Sequence, residues 1–279
     1  MTINQQHLND AAKLAYYANR FGPTVAGAIA ASGNIDGVDI IHKFGRNDSV
    51  GTSFVPVTMS GTYPTPLFSN ATALRVKAGG NANDTAAGSG AREITLQGLD
   101  DSGVYQSVTL ATAGASASSY TTVTFSRLFR YFVSASGTYA SATAGSHAGT
   151  ITIEDSSANV WGLIDAGSGF PMAQSEVACY TVPAGKTAFV QETVRFTDSS
   201  KPTGIIFFRR DDADDETNYG VMRKVESTDA QLGQFAETHV NPLGPFREFT
   251  DIGFMAKVGT GSASVAVNFE IILIDNTKL

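Results

Sequence analysis

The chain has 279 residues, of which 42% are hydrophobic and only 16% charged, and its formal net charge is −7. The length suits two domains, and the sparse charge disfavours long surface helices, which draw on Lys, Glu and Arg. Nucleic acid is not an expected partner, because no basic stripe offsets the acidic balance, and no run of 18 apolar residues is present to span a membrane.

Cys179 is the single cysteine, which excludes an intramolecular disulfide and an all-Cys zinc site and fits folding in a reducing compartment. The first 20 residues lack the basic start and continuous apolar core of a signal peptide. Residues 7–21 read as a helix. Leu8, Ala11, Ala15 and Ala18 form one stripe, Leu14, Tyr17 and Phe21 its neighbour, and Gly22-Pro23 a stop. With the small-residue stretch 24–32, this makes residues 1–35 an N-terminal helical arm that packs on its own domain or docks on a neighbouring subunit.

From Val38 on, period-two patterns dominate. Ile94 and Leu96 alternate with polar residues, as do Val104, Val108 and Leu110, then Val123 and Phe125, then Ile151 and Ile153. Residues 93–110 read as two strands joined at Asp100-Asp101-Ser102-Gly103, with Asp opening a type I turn and Gly supplying positive φ at a bulge. Two low-complexity stretches, 112–119 and 134–149, read as surface loops. Val190, Val194 and Phe196 share a face in 188–197, although Glu192 has the same parity. The run GIIFFRR (204–210) is continuously apolar up to its two arginines, as in a strand buried on both sides, and Val265 to Leu273 alternate strictly. No long helix separates these runs. The expected fold is therefore all-β: two antiparallel β-sandwich or jelly-roll-like domains, 36–165 and 166–279, behind a short N-terminal helical arm.

Chemical motifs are sparse. Gly185-Lys186-Thr187 resembles the tail of a P-loop, but Tyr180 stands where the first glycine belongs and Pro183 sits inside the loop, so a hairpin turn is expected. His7, His42, His147 and His239 show no zinc-ligand spacing, although convergence in space is not readable from sequence. No GxSxG occurs. Asp211, Asp212, Asp214, Asp215 and Glu216 lack the EF-hand pattern and read as a solvated loop rather than a calcium site. In 125–132, Phe125, Arg127, Phe129 and Tyr131 share one strand face, and Leu128, Arg130 and Phe132 the other. Both faces carry apolar bulk and an arginine, so either both are buried or one meets a partner. Candidate interface residues are thus Leu14, Tyr17 and Phe21 on the arm and Arg127, Phe129 and Tyr131 on the strand. No catalytic, cofactor-binding or metal-ligating residues are expected.

The segments 43–57 (KFGRNDSVGTSFVPV), 61–66, 82–110, 125–139, 148–155, 180–190 and 246–258 together resemble a family of tailed-bacteriophage virion structural proteins, beginning with a Gly-Arg-Asn-Asp turn and a Gly-Thr-Tyr-Pro segment. The resemblance implies a non-enzymatic particle component without cofactor, assembled in the host cytoplasm. Its role would be capsid decoration or cement, or a head–tail ring or collar. Its partners would be major capsid, portal or tail proteins and further copies of itself. The alternative is a receptor- or carbohydrate-recognition tail protein, with Tyr139, Trp161 and Tyr219 as stacking residues.

Overall fold

The computed structural model describes residues 28, 30, 32, 33, 35–77, 79–138, 145–166, 172–198, 200–217 and 220–279. Leu14, Tyr17, Phe21 and the helical arm expected around them lie outside the described residues, as do Tyr139 and Tyr219. Among the described residues, no helix is long and apolar enough to cross a membrane.

The chain is all-β. In order come β1 (Val38–Val50), β2 (Val55–Pro56), β3 (Arg75–Val76), β4 (Ala91–Leu99), β5 (Tyr105–Ala111), β6 (Arg127–Ser136), β7 (Ile151–Glu154) and β8 (Val160–Ile164). Then follow β9 (Cys179–Thr181), β10 (Lys186–Thr197), β11 (Thr203–Arg210), β12 (Arg223–Gln231), β13 (Gln234–Phe246), β14 (Asp251–Val258) and β15 (Ala263–Asp275). They form four sheets, ordered β1-β15-β10-β13, β12-β11-β14-β2 with β9 also on β14, β3-β7-β8, and β5-β4-β6. Every strand pairing within them is antiparallel. Jelly-roll connectivity is not shown by these small sheets.

The first two sheets enclose one apolar cluster, built on Val265, Val267, Phe269 and Ile271 of β15 against Ile205, Phe207, Ile252 and Phe254. The other two enclose a second, with Ile94, Leu96, Leu128 and Tyr131 facing Val76, Ile151, Ile153 and Trp161. The strict alternation of β15 thus buries Val265 through Leu273 on one face. The unbroken apolar run of β11 serves both clusters. Ile205 and Phe207 point into the first, while Phe208 belongs to the second and Ile206 packs against it.

The hairpin at 100–103 forms as its residues dictate. Leu99 pairs with Tyr105, Gly103 has φ 71°, and the Asp100 carboxylate accepts the Ser102 and Val104 N–H groups, both at 2.9 Å. Val123 and Phe125 make no strand; Phe125 has only an isolated bridge to Thr72.

Four expectations change. The boundary at residue 165 is crossed, because β1 and β2 pair with β15 and β14 from the far end of the chain. The Gly185 turn is not a hairpin, since β9 pairs with β14 and β10 with β15. The stretch Gly45–Asp48 is not a turn but part of β1. Its glycine is needed for a close crossing: a Cβ on Gly45 would lie 2.1 Å from the Ala178 N and 2.4 Å from the Val57 O. Gly45→Ala is expected to cost about 2–3 kcal/mol, measured by urea unfolding; an unchanged midpoint would refute the crossing.

The fourth change is at β10. The register shifts between Val190 and Glu192, which inserts one residue and reverses the faces beyond it. Arg195 therefore points inward at 3% exposure, while Phe196, expected inside, is 38% exposed.

Candidate functional site: a cleft between the two sheet units

A cleft of about 880 Å³ opens where β1 and β15 meet the β5-β4-β6 sheet. Its floor is aromatic. The Phe129 ring lies 4.9 Å from that of Tyr180 and 6.2 Å from that of Tyr105. Its mouth carries Val104 and Tyr105, 50% and 48% exposed because they ride on the tip of the β4–β5 hairpin. These two are the apolar side chains a partner would meet first.

Two cations line this apolar space without a carboxylate partner among the described residues. Lys43 is buried, held by one hydrogen bond of 2.5 Å from Nζ to the Phe129 carbonyl. Burial pushes its amine down to about 7, with Arg130 adding repulsion. The Cys179 thiol is itself pushed up by burial to about 12 and stays neutral. Arg130 is exposed and lies over the Phe132 ring at 5.1 Å. Lys186, in contrast, is neutralised by Asp275 at 2.9 Å and Asp39 at 3.6 Å. In a chain of net charge −7, a hollow presenting an exposed guanidinium and, as pH falls below about 7, a buried ammonium beside aromatic rings suits an apolar group that carries a carboxylate.

Of the expected interface residues that are described, Arg127 and Tyr131 are fully buried within the chain and Phe129 is 5% exposed. Arg127 and Tyr131 are therefore not a partner surface; both point into the chain's own interior. Tyr131 donates no free edge, since its hydroxyl accepts the Leu163 N–H at 3.1 Å inside the second cluster. Arg127 is clamped by Asp251, with Nε to Oδ1 at 2.7 Å and Nη2 to Oδ2 at 3.2 Å. Phe129 alone of the three reaches the cleft, as its floor.

Trp161 is 4% exposed and donates its indole N–H to Asp155 at 3.2 Å, so it offers no sugar platform. The acidic loop is not a set of free carboxylates: Asp211 is paired with Arg209 and, at 3.0 Å, with Arg223. Sequence reading did not single out Lys43. Its signal was present, because Lys43 shares β1 parity with Ile41, Gly45 and Asn47, a face that turns inward. Arg130 was noted only as part of an aromatic run.

No family model matches the chain, and no curated protein matches it. Among solved structures, the isomalto-dextranase of Arthrobacter globiformis T6 complexed with panose is similar at 16% identity and a TM-score of 0.21. That likeness covers 85% of this chain, which spans about a third of the other protein's length (35%). The expectation that the chain is not an enzyme is not carried forward, and so low a TM-score carries no argument here for a fold, an activity or a sugar.

Proposed function

We propose that this chain is a structural protein of a tailed-phage particle, a docking module whose cleft receives an apolar, carboxylate-bearing segment of a neighbouring particle protein. The observation that carries this reading is the 880 Å³ aromatic-floored cleft with Lys43 and Arg130 unneutralised. The sequence resemblance supports its setting. Lys43 belongs to the matching segment 43–57, Tyr105 to 82–110, Arg130 to 125–139 and Tyr180 to 180–190, so the cleft draws on four of the segments that carry the likeness. Each sheet pair with its own apolar cluster reads as a sandwich-like unit, a scaffold whose edges and loops are free for contacts. The hairpin tip supplies the anchor and the cations set polarity, which favours specificity and encounter rate.

Tyr105→Asp tests the reading at a half-exposed position where folding is little disturbed. Particles assembled with this variant are expected to carry at least about tenfold less of the chain, the loss of an anchor residue, with an unchanged thermal midpoint. Wild-type incorporation of the variant, or absence of the wild-type chain from particles, would refute the proposal.

A further inference from the structure

A second site lies away from the cleft, where the two sheets of the first unit end in their edge strands. β12 borders one sheet and β13 the other, and the turn at Leu232-Gly233 joins them. Glu237 and His239, two residues apart, share a face of β13. Glu226 of β12 meets them. His239 Nδ1 stands 3.8 Å from Glu237 Oε1 and 3.9 Å from Glu226 Oε1, and the three atoms lie within 4.8 Å of one another.

These separations are too long for hydrogen bonds but short enough for a shared cation. The His239 side chain is only 7% exposed, and its Nε2 has no hydrogen-bond partner. A ring held this deeply has its polar environment at Nδ1, where both carboxylates converge. Arg195, turned inward by the β10 bulge, donates from Nη2 to the other oxygen of Glu226 at 2.6 Å and from Nη1 to Thr228 Oγ1 at 2.7 Å. It fixes Glu226 so that Oε1 is free to face His239, the way outer partners orient metal ligands. It also leaves the group with one net negative charge, from two carboxylates and one guanidinium.

We propose that Glu226, Glu237 and His239 bind a divalent transition metal, with zinc as the best fit. Zinc takes one imidazole and two carboxylates at about 2.0–2.2 Å. At a tetrahedral angle this spaces ligand atoms about 3.4 Å apart, so the two sides that meet at His239 need to close by about 0.4–0.5 Å and the side between the carboxylates by at most about 1.4 Å. Calcium and magnesium prefer all-oxygen sets, and a ring nitrogen turns the choice toward zinc. Glu237 is 42% exposed, which leaves the outer side of the metal to water and gives ions a route in. The metal would link the two edge strands, and through them the two sheets.

The test is calorimetric titration of zinc into the purified, chelator-treated full chain, with Glu237→Gln and His239→Gln beside it. The expected result is one saturable equivalent for the wild type, and binding weaker in each variant by at least about 10–100-fold, the loss that an outer partner alone causes. Glu237→Gln changes a half-exposed side chain without touching the Arg195 pair, so it remains readable even if His239→Gln folds poorly. Cobalt titration adds a spectroscopic readout, in which the wild type develops the visible bands of a four-coordinate nitrogen–oxygen site and Glu237→Gln does not. Absence of a one-equivalent event in the wild type, or wild-type affinity in Glu237→Gln, would overturn the proposal. Particle incorporation of Tyr105→Asp does not bear on it, so the two sites fail or stand separately.

Discussion

Asp251→Asn is expected to lower the free energy of unfolding by about 3–5 kcal/mol, the penalty for stranding a buried cation. Arg127 is fully buried, on β6 of the β5-β4-β6 sheet, and Asp251 lies on β14 of the β12-β11-β14-β2 sheet, so the pair joins the two sheet units. Asp251 also accepts Thr181 Oγ1 at 2.6 Å and Arg210 Nε at 3.0 Å. Arg127 donates further to the carbonyls of Pro66 and Ser126, at 2.7 and 2.8 Å, and lies over the Phe68 ring. An asparagine keeps the shape but not the charge, and leaves two guanidiniums facing a neutral amide. Urea unfolding measures the effect; a loss below about 1 kcal/mol, the scale of an exposed pair, would refute it.

The same pair sets an acid limb. Burial by itself would raise the Asp251 carboxyl, but Arg127, Arg210 and Thr181 outweigh it and hold the group below its ordinary 3.8. A depressed carboxyl binds fewer protons folded than unfolded. Its stabilisation is therefore complete above the unfolded value, and is lost as pH falls through the lower folded one. The wild type is expected to lose this contribution below about pH 4, and Asp251→Asn to lack that part of the pH dependence.

Lys43→Met is expected to raise stability and abolish docking together. At pH 6 the variant should be more stable by about 1–4 kcal/mol, the range seen when buried ionic groups give way to apolar ones of similar size. The sign follows from the amine's folded value of about 7 against 10.5 when unfolded. Between these values the unfolded chain binds more protons, so wild-type stability climbs with pH while that of the variant does not. The gap is full below pH 7 and narrows toward pH 10. Thermal melts at pH 6 and pH 9.5 measure this, and a gap that fails to narrow would refute it. Particle incorporation of the same variant should fall, because the cation that faces the partner's carboxylate is gone. A residue that weakens the fold yet sits in a cleft fits a binding role, where function and stability pull apart.

The alternation in β4, β5, β7 and β15 was legible from the chain because a strand's faces are a local property of its own residues. So were the all-β class, the Asp100–Gly103 turn and the two-sided burial of β11, each set within a few neighbouring positions. Where a strand departs from regular pairing, local reading failed. The bulge after Val190 reversed the faces of β10, sending Phe196 out and Arg195 in, and parity alone carries no mark of an inserted residue.

What only the tertiary structure decided is which distant pieces meet. β1 pairs with β15 across some 220 residues, Arg127 finds Asp251 124 residues away, and Lys43 reaches Phe129 86 residues on. The cleft is of this kind, whereas Glu226, Glu237 and His239 come from two successive strands. The cleft lies between sheets drawn from both halves of the chain, and the Glu226–Glu237–His239 group bridges two edge strands. Periodicity tells a residue which way it faces; partner choice depends on the summed burial of whole sheets, and that is not written at any single position.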